Sequence, residues 1–333
     1  MKKLSALILA LCLILSLAAC GQNSGENGEN TPEEAVTIRV GGMTGPTSMG
    51  MVKLMDDAEK GETANSYDFS LESGASVFAP ALTKGEIDIA AVPANLASVI
   101  FNNTDGGLMV MAVNTLGVLY VVERGENVNE ISDLSGKTVY ATGQGATPEY
   151  SLRHILKENG LDPDKDVTLQ WCADTSEALA NIAADDQAVA MLPQPFVTVA
   201  QSKVEGLRIA LDLNEEWEKI EEAARLVTGV VVVRREFAEK YPQQTAKFLE
   251  EYEASVNYAG TNPEETAQLI AQYEIVPSAS IAQKALPGCN ITFLAGQELK
   301  TALEGYLTVL FEENPQSIGG ALPGAEFYYG AKA

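Results

Sequence analysis

Three features of the sequence predict an α/β fold of two similar lobes. The first is GEIDIAAVPANLAS, residues 85–98. Ile87, Ile89, Ala90, Ala91 and Val92 make the short apolar run of a strand buried on both faces. Pro93 stops the run, and a helical pattern opens at Asn95. The second feature is a recurrence of this design in QAVAMLPQPFVTVA, residues 187–200, where Pro193 ends the strand and a helix follows Pro195. The third is that the same offset, about 100 residues, relates two further pairs of segments and is too long for a solenoid repeat. VGGMTGPTSMGMVKLM (40–55) matches VYATGQGATPEYSLRHIL (139–156), and YDFSLESGASVFAPALTKG (67–85) matches VTLQWCADTSEALANIAAD (167–185). Each lobe therefore presents loops of small residues at its strand ends, where open α/β sheets hold ligands.

The chain begins with Lys2 and Lys3 and an apolar core over residues 4–17. That core is too short for a bilayer span, which takes roughly 20 residues. It ends in Leu17-Ala18-Ala19-Cys20-Gly21. Small residues before a cysteine resemble the lipobox of bacterial lipoproteins. The resemblance implies a signal peptide over residues 1–19 and lipidation of Cys20 on the extracytoplasmic face of the cell membrane. Residues 20–35 are polar and rich in Gly, Asn and Glu, a disordered tether with an r.m.s. span of roughly 20 Å. A chain delivered outside the cytoplasm lacks ATP and NAD, which argues against kinases and dinucleotide enzymes.

Strands are expected at 37–40, 67–71, 87–92, 108–114 and 117–125 in the first part, and at 138–141 and 208–212 in the second. A short helical turn is expected at 132–137. Asn214 opens an acidic helix containing Trp217, and VVVVRREFAEKYP follows Thr228-Gly229. The remainder reads as helical over 243–258, 263–273, 281–286 and 297–312. Asn262 is the expected cap before Pro263, with Glu264 and Glu265 at the positive end of the helix. The tail IGGALPGAEFYYG is expected to pack over the first lobe. The formal net charge of −24 makes nucleic acid a poor partner. Of the four cysteines, Cys12 lies in the signal and Cys20 is the anchor, leaving Cys172 and Cys289 as expected buried free thiols.

DLSGKTVYATGQGATPEYSLRHILKENGLDPDKDVTL, residues 133–169, resembles the DL-GK-strand-GS-loop-helix-NGL-DV pattern of periplasmic solute-binding proteins. The nearest resemblance is to the nitrate/sulfonate/taurine and thiamine-precursor (NMT1/THI5-like) families. VVVVRREFAEKYPQQTAKFLEEY resembles their return segment, V-VR-EF---P----FL. The resemblance covers most of residues 36–310. It implies a type II periplasmic-binding-protein fold, with two doubly wound lobes joined by a two-strand hinge. Lobe 1 would be 36–117 plus 231–333 and lobe 2 118–230. It also implies a monomer that captures a small-molecule solute, delivers it to an ABC transporter permease, meets the membrane only through its lipid, and needs no cofactor. An extracytoplasmic enzyme or a sensor lipoprotein on the same fold is the alternative.

In that arrangement the loops at 44–48 and 142–150 face each other across a cleft. Thr44, Thr47, Ser48 and Thr147 offer hydroxyls, and Gly74, Ala75 and Gly145 let backbone approach a ligand. Asn95, Thr115, Gln194 and Thr228 lie at strand ends or the hinge. Glu149 and Asp174 are either ligand contacts or helix-start residues, and Thr147 is either a ligand contact or an N-cap. Tyr150 and Phe196 are candidate stacking walls, with core packing an equal reading for Phe196. GQGATP lacks the third glycine of a dinucleotide fingerprint. His154, the single histidine, is expected at the surface, and no metal-ligand spacing is present. The cleft segments contain no Lys or Arg but include Glu72, Glu149, Asp174 and Glu177. Doubly charged anions are thus disfavoured. The expected ligand is a neutral or cationic heteroaromatic such as a pyrimidine, or a monovalent sulfonate, unless Arg153 or Arg225 reaches in.

Overall fold

The strands form two sheets in a computed structural model that describes residues 36–185, 187–221 and 224–331. The signal peptide, Cys12, the Cys20 lipobox and the tether expected for residues 1–35 lie outside the described residues. The first sheet contains β1 (Thr37–Met43), β2 (Ser66–Glu72), β3 (Ile89–Pro93), β4 (Leu108–Thr115), β10 (Gly229–Arg234) and β11 (Ile291–Ala295). Its order is β11-β4-β10-β3-β1-β2. The second contains β5 (Leu119–Glu123), β6 (Thr138–Ala141), β7 (Thr168–Trp171), β8 (Val189–Pro193) and β9 (Arg208–Asp212), in the order β7-β6-β8-β5-β9.

The sequence repeat is a structural repeat. In each sheet a parallel triplet, β2-β1-β3 or β7-β6-β8, is followed by strands paired antiparallel, β10, β4 and β11 in the first sheet and β5 and β9 in the second. Gly41 pairs with Ala90 in the first triplet and Tyr140 with Ala190 in the second, so even the register is kept. The antiparallel strand beside each triplet exchanges sheets. The chain leaves β4 for β5 at residues 116–118, and returns between Asp212 and Gly229 to enter β10. β3 and β10 are central strands, and their nearly unbroken apolar runs (Ile89 to Val92, Val230 to Val233) are at most 1% exposed.

Helices cover both faces. The Gly296–Glu313 helix packs on β4 and β11 and reaches the second sheet's helices. Its Tyr306 is fully buried, 5.5 Å from Trp217 by ring centroids, and its hydroxyl lies 3.2 Å from Ser151 Oγ. Burial pushes the Tyr306 hydroxyl up to about 12. At the rim of this seam Lys157 pairs with Glu313 at 2.7 Å.

Five local features change or resolve the expectations. No strand is expected between the helices at 281–286 and 297–312, yet ITFLA forms β11, because β4 offers an open antiparallel edge there. Asn262 does not cap its helix with its side chain; Nδ2 turns back to the Tyr258 carbonyl and the Thr261 hydroxyl. His154 is not at the surface. It is 8% exposed, tilted against Trp217 at 5.0 Å, with Nε2 2.9 Å from Glu221 Oε1. Its position on the inward face of the Thr147–Glu158 helix, opposite Trp217, decides this. The tail does pack on the first sheet: Tyr328 bridges Val110, and Phe327 is buried 4.9 Å from Phe101. Cys172 and Cys289 are both buried free thiols, and burial pushes Cys289 up to about 12.

Candidate functional site

The C-terminal ends of β1 and β3 in one lobe, and of β6 and β8 in the other, carry most of the predicted site residues. After β1 the chain turns sharply. The Met43 carbonyl accepts both the Thr47 hydroxyl at 3.0 Å and the Ser48 hydroxyl at 2.7 Å. Both residues are at most 2% exposed. The turn needs a glycine beneath it, since a Cβ on Gly42 would stand 2.4 Å from Ser48 Oγ. Thr44 donates its N–H to the Glu72 carbonyl at 2.8 Å, tying the loop to the end of β2. Gly74 and Ala75, half-buried, begin a short turn beyond β2 at the sheet edge.

The floor of the site is the crossover. Asn114 Nδ2 donates to the Thr47 carbonyl at 2.8 Å, and its Oδ1 accepts the Thr115 hydroxyl at 3.1 Å. Thr228 donates its N–H to the Thr115 carbonyl at 3.0 Å and accepts from the Ala94 N–H at 3.1 Å. Its hydroxyl is buried without a hydrogen-bond partner. An unmet buried hydroxyl costs about 1–3 kcal/mol, so this oxygen is a ready acceptor or donor for a bound group. Asn114 was absent from the residues predicted to bind. Its only sequence signal is a polar side chain closing the apolar run LMVMAV.

In the second lobe the acids serve the backbone. Glu149 Oε2 accepts the Gly145 N–H at 2.7 Å and Oε1 accepts Arg153 Nε at 2.8 Å. Arg153 also pairs with Asp164 at 2.9 Å, and Arg225 pairs with Glu218, so neither guanidinium is free for an anion. Asp174 caps its helix by accepting from the N–H groups of Ser176 at 2.8 Å and Glu177 at 3.0 Å. Glu177 returns a bond to the Ala173 N–H. Thr147 is not the N-cap, a position that Ala146 holds. It is the first helical residue, 8% exposed, and its hydroxyl donates across the lobes to Asn95 Oδ1 at 3.2 Å. Asn95 in turn donates to the Ser317 carbonyl at 3.2 Å. The loop before the Thr147–Glu158 helix thus finds its cross-lobe hydrogen bond after β3, while the hydroxyls after β1 turn inward to Met43.

Tyr150 is half-buried, and its hydroxyl accepts from Asn314 Nδ2 at 2.9 Å. Gln194 is 5% exposed, and its Oε1 accepts from the N–H and hydroxyl of Thr198. Phe196 is 46% exposed, so it is not a core residue. The structure therefore gathers Thr47, Asn95, Thr115, Thr147 and Thr228 at the seam or its floor, and leaves Asp174 and Phe196 facing solvent. Among the described residues no group of three or more His, Cys, Asp or Glu could hold a metal ion.

The NMT1-like family model matches residues 32–275. Among solved structures, an ABC transporter protein from Parabacteroides distasonis superposes with a TM-score of 0.73 at 24% identity, covering 88% of this chain and 98% of that one. The periplasmic aliphatic sulphonate binding protein SsuA from Escherichia coli gives 0.68 at 17% identity, covering 86% and 92%. A Candida albicans gene product described as having the generic periplasmic binding protein fold gives 0.55 at 12% identity, covering 88% and 93%. No curated protein matches significantly.

Proposed function

This chain belongs to the NMT1-like family, and from that premise we propose that it captures a small organic solute between its lobes and hands it to an ABC importer. The solute is bound and released unchanged. The observation that supports this best is the Thr147–Asn95 hydrogen bond, which joins the strand-end loops of the two lobes above a buried, unpartnered Thr228 hydroxyl. A solute at that seam would touch both lobes, so its binding energy would favour their closed arrangement.

The electrostatics narrow the solute. Glu149 and Asp174 are occupied by backbone N–H groups, which removes the reason to expect a cationic ligand. The arginines nearest in sequence are occupied by carboxylates, which leaves a doubly charged anion without a counter-ion. A neutral ring such as a pyrimidine, or a monovalent sulfonate, fits what remains. The SsuA likeness favours the sulfonate branch.

Calorimetry with a pyrimidine series set against taurine and alkylsulfonates tests the reading. We expect one class to bind near micromolar, about −8 kcal/mol. Thr147→Val should weaken that class about tenfold by removing a cross-lobe bond, while Asp174→Asn should leave it unchanged. X-ray scattering should show compaction at saturation. An unchanged radius of gyration, together with no heat from either class, would overturn the proposal.

The lipobox reading completes it. A lipid on Cys20 would hold the protein outside the cell membrane, within reach of a permease. Fatty-acid labelling should be present in the wild-type chain and absent in Cys20→Ser; equal labelling of both would rule the anchor out.

A further inference from the structure

We propose that the groove between the Phe196–Lys203 helix of the second lobe and the Ala279–Ala285 helix of the first is a second small-molecule site, suited to a monoanion with an apolar body. Its volume is about 660 Å³, within the range of small-molecule pockets. Both lobes line it, so an occupant would bridge them beside the crossover.

Three observations set the ligand chemistry. The first is an amide donor, on a largely buried residue that lines the groove, with no hydrogen-bond partner among the described residues. Gln194 is 5% exposed and its Oε1 is used by Thr198, but Nε2 has no hydrogen bond among the described residues. That nitrogen lies where the lobes meet: a Cβ built on Gly288 would stand 3.1 Å from Gln194 Nε2 and 2.8 Å from the Tyr120 hydroxyl. The Tyr120 hydroxyl itself donates to the Gly288 carbonyl at 2.8 Å and closes that end. The second is charge. Lys284 lines the groove and makes no ion pair among the described residues, whereas no lining residue is acidic on a chain of net charge −24. Asp212, beside Tyr120, is turned to the Asn214 N–H at 2.8 Å and does not line the groove. The third is apolar surface. Ile209 is one of few large hydrophobic side chains left exposed, at 37%, and it lines the groove with Ile281 and Pro287.

One cation and one amide donor suit a single negative charge, a carboxylate or a sulfonate, with the body of the molecule on the isoleucines. An ammonium would meet Lys284 with no carboxylate to balance it. A dianion would have only one cation.

The test uses hexanoate and its neutral counterpart hexanamide with the full soluble chain, read by calorimetry and by the side-chain amide resonances of Gln194. Hexanoate should bind and shift those resonances, and hexanamide should bind at least about tenfold more weakly. Lys284→Gln should erase the preference for hexanoate, and Ile209→Ser should weaken both probes. Both sites of substitution are solvent-exposed, so the variants keep the fold. Thr147→Val should not affect hexanoate. Equal binding of the two probes, no binding of either, or indifference to Lys284→Gln would overturn the proposal. Loss of hexanoate in Thr147→Val alone would place the anion at the strand-end seam, leaving the solute-binding reading intact and removing the second site.

Discussion

Replacing Asp88 with alanine is expected to destabilise the protein by about 3 kcal/mol, near the lower end of what breaking a buried ion pair costs. Asp88 is 2% exposed, immediately before β3. Its carboxylate accepts the Arg39 N–H at 3.1 Å, Arg39 Nε at 2.8 Å, the Arg39 guanidinium terminus at 2.6 Å and Arg234 at 3.0 Å. These bonds staple β1, β3 and β10 at the end of the first sheet away from the seam. Alanine would leave Arg234, already holding one buried unpartnered Nε, with only the exposed Glu236 at 3.0 Å to offset its largely buried charge. For a chain this long the loss should appear as roughly 5 °C in Tm. Burial alone would raise the Asp88 carboxyl, but the hydrogen bonds from Arg39 and then Arg234 outweigh it and hold the group below its ordinary value. Stability from Asp88 is therefore complete above the unfolded carboxyl value of about 3.9 and is lost as pH falls through the lower folded value. Wild type should show this loss in acid and Asp88→Ala should lack that contribution. A Tm within 2 °C of wild type, roughly the resolution of such scans, would contradict the argument.

Replacing Trp217 with alanine is expected to cost about 3–5 kcal/mol, the range for removing a large buried aromatic. Trp217 is fully buried between His154 and Tyr306, and its indole N–H donates to the Ala224 carbonyl at 3.3 Å. Those neighbours belong to the Thr147–Glu158 helix of one lobe and the Gly296–Glu313 helix packed on the other sheet. The cavity would therefore open on the seam between the lobes. Hydrogen exchange should speed up selectively in those two helices, while β1 to β3 should keep their protection. Trp217→Phe should recover most of the loss, because it retains the ring contacts and gives up one long hydrogen bond. A loss below about 1 kcal/mol for the alanine variant would mean the seam repacks around the gap.

Tyr306 shows why this seam escaped the sequence reading. Its helix has a mixed pattern, and nothing local distinguishes a tyrosine facing its own sheet from one facing the other lobe. The same limit applies to His154, whose polar ring reads as surface until Trp217 and Glu221 enclose it. β11 escaped because four apolar residues and a threonine between helices carry no period that separates strand from helix. By contrast, β3 and β8 were legible, since a buried parallel strand needs an unbroken apolar run and Pro93 and Pro193 mark where each run ends.

The sequence by itself determined the two-lobed α/β architecture. The repeated strand–proline–helix design recurs in the second part of the chain, and residues with the same local pattern adopt the same register, Gly41 on Ala90 and Tyr140 on Ala190. It also determined that small hydroxyl and glycine residues would crowd the strand ends. Only the tertiary structure decided what those side chains do. Ser48 and Thr47 turn to Met43, Glu149 and Asp174 turn to backbone N–H groups, and Thr147 reaches Asn95 across the lobes. It also brought Lys284 to a groove shared with Gln194, far away in sequence. Element type follows from local patterns of burial and backbone geometry. A polar side chain's partner depends on which distant donors and acceptors share its desolvated surroundings, and that is fixed only when the lobes meet.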